Sequence, residues 1–297
     1  MKKPNFFIIG APKCGTTTLA TWLGEHPNIF ITPGKEPHYF SQTVVPPEWR
    51  DAWRTLDWYE SLYENAHSEH LMVGEATPTY LQFARTTIPA ILEYCRDPLF
   101  IVCLRNPVEM APALHGELIY QGFEDVLDFS AAWQLRETRR HNLPTQSRFG
   151  GYTLRQYDHE CALGSQLEIL YELIPRSRVL TVLLDDVAAD PRKEYLRTLQ
   201  FLGVPDDQRN EFQARNQSKI RKSALLGHMA RGIGELKFRL GIRANFGMLK
   251  FLDLLNQRQQ PRAPLAPSLQ RELKLHFAPE VKKLGALLDR DLTHWIT

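Results

Sequence analysis

The sequence predicts an α/β protein in which helices flank a central parallel sheet. Five short apolar runs recur along the 297-residue chain, and segments with helical periodicity separate them. The first run leads straight into a short loop that glycines flank and then into a helix start. In parallel sheets, ligands bind beyond the carboxyl ends of the strands. We therefore expect one domain over residues 1–297, with a helical C-terminal part from about residue 224.

The apolar runs are short and bounded by turn residues, as expected for buried strands. The predicted strands cover residues 6–9, 28–31, 71–74, 99–104 and 178–184.

Helical patterns fill much of the intervening sequence. They are predicted over residues 127–140, 152–173 and 191–202, and over 268–288 as two short helices broken near Pro279. Residues 257–267 are proline-rich and predict an extended connector. Residues 225–255 are basic and amphipathic, which favours a helix packed on the core over one lying on a membrane surface.

Composition excludes several classes of protein. The chain is 43% hydrophobic and 24% charged with a net charge of +2, so it is an ordinary globular chain without a general attraction to nucleic acid. Its four cysteines form no C-x-x-C pair, which argues against zinc and a disulfide framework and favours a reducing, cytoplasmic compartment. No apolar stretch approaches the ~20 residues of a membrane span.

The first loop is the most informative segment. Gly10 ends the first strand, Lys13 lies in the loop, and three threonines after Gly15 open a helix. The exposed amides and the positive dipole end of such a helix favour an anion, and the lysine adds a point charge. The expected phosphate-binding residues are Pro12, Lys13, Cys14, Gly15, Thr16, Thr17 and Thr18.

The position of the lysine distinguishes between nucleotide families. An ATP-binding loop reads G-x-x-x-x-G-K-[ST], whereas here Lys13 precedes Gly15 and Thr16 stands in the usual lysine position. The segment G-A-P-K-C-G-T-T-T-L resembles the 5′-phosphosulfate loop of sulfotransferases that use 3′-phosphoadenosine 5′-phosphosulfate (PAPS). The alternative is an ordinary strand–helix turn that happens to contain a lysine.

A second motif follows the fourth strand. Arg105 stands at the strand end, where an arginine can grip phosphate bidentately, and Pro107 can start a helix. The segment resembles the family's 3′-phosphate motif R-[ND]-P-x-[ED]-R-A-x-S. Met110 and Ala113 depart from it by replacing the second arginine and the serine. The alternative for Arg105 is a surface arginine without a ligand.

A third motif, K-E-P-H-Y-F over residues 35–40, resembles the K-E-x-H-[FY]-F stretch of heparan-type and related bacterial sulfotransferases. The resemblance implies that Glu36 deprotonates the acceptor, while Lys35 adds charge at the sulfuryl oxygens. His38 is the alternative base, although the register of the motif favours Glu36. A further alternative is that Glu36 and Lys35 merely pair with each other. Tyr39 is expected on the acceptor side.

Two further matches are weaker. The stretch G-E-A-T-P-T-Y over residues 74–80 resembles one that lines the acceptor side, which makes Glu75 and Tyr80 candidates. Glu75 orients the acceptor, acts as a second base, or is a structural carboxylate that caps Thr77. The stretch N-Q-S-K-I-R-K-S over residues 216–223 resembles a late loop over the nucleotide. Arg221 and Lys222 could there supply the 3′-phosphate contacts that Ala113 cannot. The C-terminal L-D-R-D-L-T-H-W is expected to pack.

Together these resemblances imply the P-loop kinase-like sulfotransferase fold and an enzyme that uses PAPS, releases PAP (3′,5′-ADP) and needs no metal. The acceptor would be a hydroxyl, in preference to an amine, of a small molecule or glycan; its identity and the oligomeric state are open. One rival is a P-loop phosphotransferase with Asp185 or Asp186 as its magnesium ligand. The other is a nucleotide-binding pseudoenzyme, which Met110 and Ala113 suggest.

Overall fold

A computed structural model describes residues 2–33, 36–41, 54–121, 123–141, 155–213, 219–221, 257–259 and 264–297. Its centre is a five-stranded, all-parallel sheet with the order β2-β3-β1-β4-β5. The strands are β1 (Phe6–Gly10), β2 (Ile29–Ile31), β3 (Met72–Ala76), β4 (Leu99–Leu104) and β5 (Val179–Leu183). All five predicted strands are therefore confirmed, as is the fold class.

Helices occupy the connections between the strands. Before β5 they are α1 (Thr16–Gly24), α2 (Leu56–Ser61), α3 (Ala84–Tyr94), α4 (Pro107–Gln121), α5 (Phe129–Gln134), α6 (Arg136–His141), α7 (Tyr157–Glu160) and α8 (Leu163–Leu173). After β5 come α9 (Leu184–Ala189), α10 (Pro191–Leu202) and α11 (Pro267–Leu288), with a two-stranded antiparallel pair of β6 (Lys219–Arg221) and β7 (Gln257–Gln259) between α10 and α11. Within the ranges described above, no helix has the length and apolar character needed to cross a membrane.

The central strand β1 is fully buried and has β3 on one side and β4 on the other. Phe6 is in register with Gly74 of β3 and with Leu99 of β4. The chain runs from β1 to the β2 edge of the sheet and later returns on the opposite side as β4, so the strand order reverses beside β1. Ligands of open α/β sheets bind at such a reversal. The loops that follow β1, β3 and β4 meet at this place.

The predicted break near Pro279 is wrong, because α11 is one continuous helix. Pro279 cannot donate to the carbonyl of Leu275, but both residues lie on the solvent face, where water can satisfy that carbonyl. The opposite face holds the helix together. It packs against α8 and α4 through the buried side chains Leu269, Leu273, Phe277, Val281 and Leu284.

Two other helical predictions are corrected in detail. The pattern over residues 127–140 forms two helices, α5 and α6, that meet at Leu135. The pattern over 152–173 forms the short α7 and then α8. The predicted helix 191–202 is confirmed as α10, with the predicted Pro191 in its first turn and Gly203 at its C-cap. The basic stretch 225–255 lies outside the described residues, and part of the predicted connector forms β7.

One buried carboxyl group stands out from the core. Glu160 at the end of α7 is 1% exposed, and neither of its carboxyl oxygens has a hydrogen-bond partner within the described part of the chain. Burial raises the pKa of Glu160 from 4.5 to about 8, against a weaker opposing influence of the Gln82 amide. Glu160 is therefore protonated in the folded protein at pH values at which it is ionised in the unfolded chain.

This difference predicts a pH-dependent stability. Between pH 4.5 and about 8 the folded state binds the extra proton, so the free energy of unfolding falls as pH rises. Glu160→Gln removes this contribution. We expect the free energy of unfolding of the variant, relative to that of wild type, to rise by on the order of a few kcal/mol near pH 8 but by little near pH 5. Denaturant unfolding at several pH values measures this, with the exposed Glu172→Gln as control. A constant difference between wild type and Glu160→Gln would contradict the assignment.

Candidate active site

The loop after β1 forms a cradle at the carboxyl edge of the sheet. Lys13 and Gly15 both have left-handed backbone conformations, with φ of 62° and 90°. A Cβ at Gly15 would lie 3.0 Å from a methyl group of Leu184, so the position suits glycine in both conformation and space. Because Gly15 is the N-cap of α1 and has no side chain, it does not cover the amides of the first turn. These amides can accept an anion.

Some of the predicted loop residues are buried and support the fold, whereas others are exposed enough to contact a ligand. Cys14 is buried, and its Sγ lies 3.7 Å from the Sδ of Met110. Burial raises the pKa of the Cys14 thiol far above its ordinary value, so it stays a thiol. Thr16 and Thr18 are buried, whereas Pro12, Lys13, Gly15 and Thr17 keep partial exposure. These four residues are the ones that a ligand can reach directly.

Lys13 is held by a carboxylate from α4. Its Nζ donates to Oε2 of Glu117 at 2.7 Å, and the two side chains are 22% and 33% exposed. The other oxygen of Glu117 accepts from the side-chain amide of Gln121 at 2.9 Å. The cation that the sequence places in the loop is therefore paired within the protein.

Arg105 joins the same cradle from β4. Its Nη1 donates to the carbonyl oxygen of Lys13 at 3.3 Å, and its Nη2 donates to Oε2 of Glu109 at 2.8 Å. The side chain is 20% exposed. Met110 and Ala113 are fully buried, so these two departures from the motif fill the core beneath the loop.

The loop that carries Glu36 and His38 is anchored by several polar contacts. Arg54 donates to the Pro37 carbonyl at 2.7 Å, and the amide of Phe40 donates to the hydroxyl of Tyr80 at 3.2 Å. The ring of Phe40 packs edge-on against those of Phe7, Tyr59 and Tyr80. A loop that is tied to the core in this way can hold a base in a defined position.

Glu36 and His38 form a pair. Nε2 of His38 lies 3.5 Å from Oε2 of Glu36, and Nδ1 of His38 lies 3.3 Å from the hydroxyl of Thr79. Both residues have positive φ, 69° for Glu36 and 52° for His38. Strained backbone of this kind persists where the surrounding structure enforces it, often at functional sites. The pair can take up one proton, and both alternatives for the base remain in place.

Glu75 and Tyr80 are buried beneath this loop. The carboxylate of Glu75 accepts hydrogen bonds from Tyr59 at 2.6 Å, from Tyr63 at 3.3 Å and from Thr77 at 3.1 Å. Burial raises the pKa of Glu75, and these donors oppose the rise. Because Glu75 and Tyr80 are both 0% exposed, the geometry favours the structural alternative for Glu75. Tyr39 is partly exposed and stacks on Tyr59 with ring centroids 4.4 Å apart.

Some predicted residues cannot be placed in the site. Lys35 and Lys222 lie outside the described residues, and for Arg221 only the backbone is described. The strand that contains Arg221, β6, packs against α4. The predicted late loop therefore approaches the helix that begins with the 3′-phosphate motif.

The candidate magnesium ligands of a phosphotransferase have other partners. Asp185 accepts a hydrogen bond from the indole of Trp295 at 2.7 Å, and Asp186 pairs with Arg290. Trp295 is 2% exposed and contacts Asp185 of α9, so the C-terminal segment packs on the protein as its sequence predicts. This geometry favours a structural role for both aspartates.

Three residues that build the site, namely Glu117, Arg54 and Thr79, are not predicted from the sequence. Glu117 and Arg54 lie outside every recognised motif, and Thr79 falls inside the 74–80 stretch without an assigned role. Their contacts depend on which strands are neighbours, which the local pattern does not contain. The assembled site combines an anion cradle, two cations and a carboxylate–imidazole pair on one edge of the sheet.

Comparison with known proteins identifies the family of this chain. A family model for the sulfotransferase domain matches residues 3–235. The chain is 27% identical over 240 residues to human heparan sulfate glucosamine 3-O-sulfotransferase 6, covering 80% of this chain and 64% of that protein. It is 33% identical over 108 residues to the membrane-associated sulfotransferase kil1 of Dictyostelium discoideum, covering 36% of this chain and 21% of that protein. The chain thus spans less than two thirds of either relative.

Solved structures show the same fold. A sulfotransferase from Alicyclobacillus acidocaldarius superposes with a TM-score of 0.72 at 25% identity and covers all of both chains. Mouse sulfotransferase SULT7A1, solved with PAP, superposes with a TM-score of 0.51 at 15% identity over 97% of this chain and 88% of that one, which shows the fold alone. The chain belongs to the sulfotransferase family.

Proposed function

We propose that this enzyme transfers a sulfuryl group from PAPS to a hydroxyl, in preference to an amine, of a small molecule or glycan. The observation that carries the proposal is the contact between Arg105 and the carbonyl of Lys13, which brings the two predicted phosphate ligands into one cradle. Gly15 and the first-turn amides of α1 would hold the 5′-phosphosulfate, and Lys13 would neutralise it. The bound PAP in the mouse neighbour supports this choice of donor.

The transfer is an in-line displacement at sulfur. The acceptor oxygen forms a new bond to sulfur, while the bond from sulfur to the bridging phosphate oxygen breaks and leaves its electron pair on the phosphate. Glu36, or alternatively His38, takes the acceptor proton. Lys13 stabilises the charge that develops on the leaving oxygen, and Lys35 adds charge at the sulfuryl oxygens. The products are the sulfated acceptor and PAP.

The remaining predicted residues have supporting roles in this proposal. Arg221 and Lys222 would help Arg105 at the 3′-phosphate, since the buried Ala113 offers no hydroxyl there. Tyr39 would face the acceptor, and Tyr80 with Glu75 would hold the 36–41 loop from below. A mass-spectrometric screen of small molecules and glycans with PAPS tests the function: a sulfated product supports it, whereas release of PAP without sulfated product contradicts it.

We expect Arg105→Ala to weaken binding of PAP about ten- to a hundred-fold and to leave binding of 5′-AMP nearly unchanged. The physical reason is the loss of a charge-assisted contact that only the 3′-phosphate makes, at a cost of roughly 1.5–3 kcal/mol. Calorimetry on both ligands measures the effect. Arg85→Ala is the matched control, because Arg85 is exposed and pairs with Glu172 on the surface. Equal weakening of both ligands would show that Arg105 does not recognise the 3′-phosphate.

A further inference from the structure

A carboxylate stands beside the proposed reaction centre and has no part in the chemistry described so far. Glu117 binds Lys13 at 2.7 Å and is one-third exposed. Its position is set by α4, whose buried residues Leu114 and Leu118 flank it in sequence, and by the hydrogen bond from Gln121. Glu117 is therefore a fixed feature of the cleft wall.

Donor binding changes the surroundings of this carboxylate. Lys13 can approach the bridging oxygen of PAPS only by giving up or sharing its contact with Glu117. The negative charge of Glu117 is then compensated less, while the anionic donor adds more negative charge nearby. Arg105 compensates little of the Glu117 charge, because Arg105 already pairs with Glu109, which is on α4 like Glu117. With Glu36 as the proposed base, the incoming acceptor would then meet two carboxylates.

We infer that Glu117 selects acceptors by their charge: it rejects anionic acceptors and favours neutral or cationic ones. This inference rests on the proposed function and narrows its acceptor class. Two hydrogen bonds of about 3 Å each link the Glu117 carboxylate, through Lys13, to the donor oxygen that Lys13 would contact. The attacking atom of the acceptor lies a few ångströms beyond that oxygen. The distance from the Glu117 carboxylate to the attacking atom is therefore under about 10 Å. At that distance, a unit charge near a protein surface changes an equilibrium or rate by about tenfold.

The inference separates this chain from a relative whose acceptor is named as heparan sulfate glucosamine. A polyanionic glycan would bring its negative groups against Glu117 and Glu36. A neutral sugar, or one with an ammonium group near the reacting hydroxyl, would meet attraction or no penalty. A charged wall of this kind discriminates by repelling the wrong acceptor more than by binding the right one.

Three matched sugars test the inference: p-nitrophenyl β-glucoside, β-glucuronide and protonated β-glucosaminide. Their kcat/KM with PAPS, or their Kd for the enzyme–PAP complex by calorimetry, is compared for wild type, Glu117→Gln and Glu117→Lys. We expect wild type to favour the glucoside over the glucuronide by about tenfold. Glu117→Gln should remove most of that preference, and Glu117→Lys should reverse it. Glu109→Gln, the same change on the same helix, should leave the ratio as in wild type.

An unchanged glucoside-to-glucuronide ratio in Glu117→Gln and Glu117→Lys would overturn the inference and leave the proposed function standing. The same holds if Glu109→Gln shifts the ratio as much as Glu117→Gln, because the effect would then be general electrostatics. Failure of the proposed function gives a different result, namely that wild type does not bind PAP at all.

Discussion

Lys13→Ala should lose sulfuryl transfer by on the order of 10²–10³ while the protein remains folded. The lysine stabilises charge that develops on the leaving phosphate only in the transition state, and loss of such a contact typically has this effect. Stability should change little, because a partly exposed ion pair such as that of Lys13 with Glu117 contributes about 0–1 kcal/mol. Initial rates with labelled PAPS and a melting curve measure the two quantities.

The matched control for this variant is Lys283→Ala. Lys283 also donates to a glutamate at 2.7 Å, but its partner Glu168 belongs to α8, on the packing surface with α11. We expect full activity from Lys283→Ala. Activity of Lys13→Ala within a few-fold of wild type would contradict a role for the loop after β1 in sulfuryl transfer.

Glu36→Gln should bind PAP normally and lose turnover by about 10²–10⁴, because it keeps the shape of the side chain and removes the base. His38→Ala should have a smaller effect if the histidine only orients Glu36 through the 3.5 Å contact. Initial rates at saturating PAPS, with PAP affinity measured by calorimetry, separate catalysis from binding.

Comparing kcat/KM of the two single variants distinguishes the two alternatives for the base. A variant that lacks the base loses turnover, whereas one that lacks only an orienting contact keeps most of it. If His38→Ala is inactive and Glu36→Gln is active, then histidine is the base. Thr79→Ala, which removes the hydroxyl beside His38, should then also lower the rate.

Much of the fold follows from local sequence. The five strands are short apolar runs between turn residues, and the first loop owes its shape to Gly10, Gly15 and the threonines that open α1. The contact between Arg105 and the Lys13 carbonyl also follows, once the two strands that precede these residues are placed side by side.

Other features require the three-dimensional arrangement. Glu117 meets Lys13 because α4 lies beside the loop after β1, and no local pattern specifies which helical residue faces that loop. The hydrogen bonds to Glu75 depend on Tyr59 and Tyr63, which reach it from α2 and the turn that follows. Pro279 predicts a helix break, because the sequence does not show that this residue faces solvent, where water satisfies the free carbonyl.

The central claim is that the cradle after β1 binds a 3′-phosphorylated adenine nucleotide without a metal. Calorimetry of the wild-type protein measures this directly, with PAP, 5′-AMP and ATP titrated in the presence of either EDTA or Mg²⁺. We predict that PAP binds at least about tenfold more tightly than 5′-AMP, since only PAP engages Arg105, and that EDTA does not weaken it. Binding of ATP that depends on Mg²⁺, with no preference for PAP over 5′-AMP, would contradict the claim.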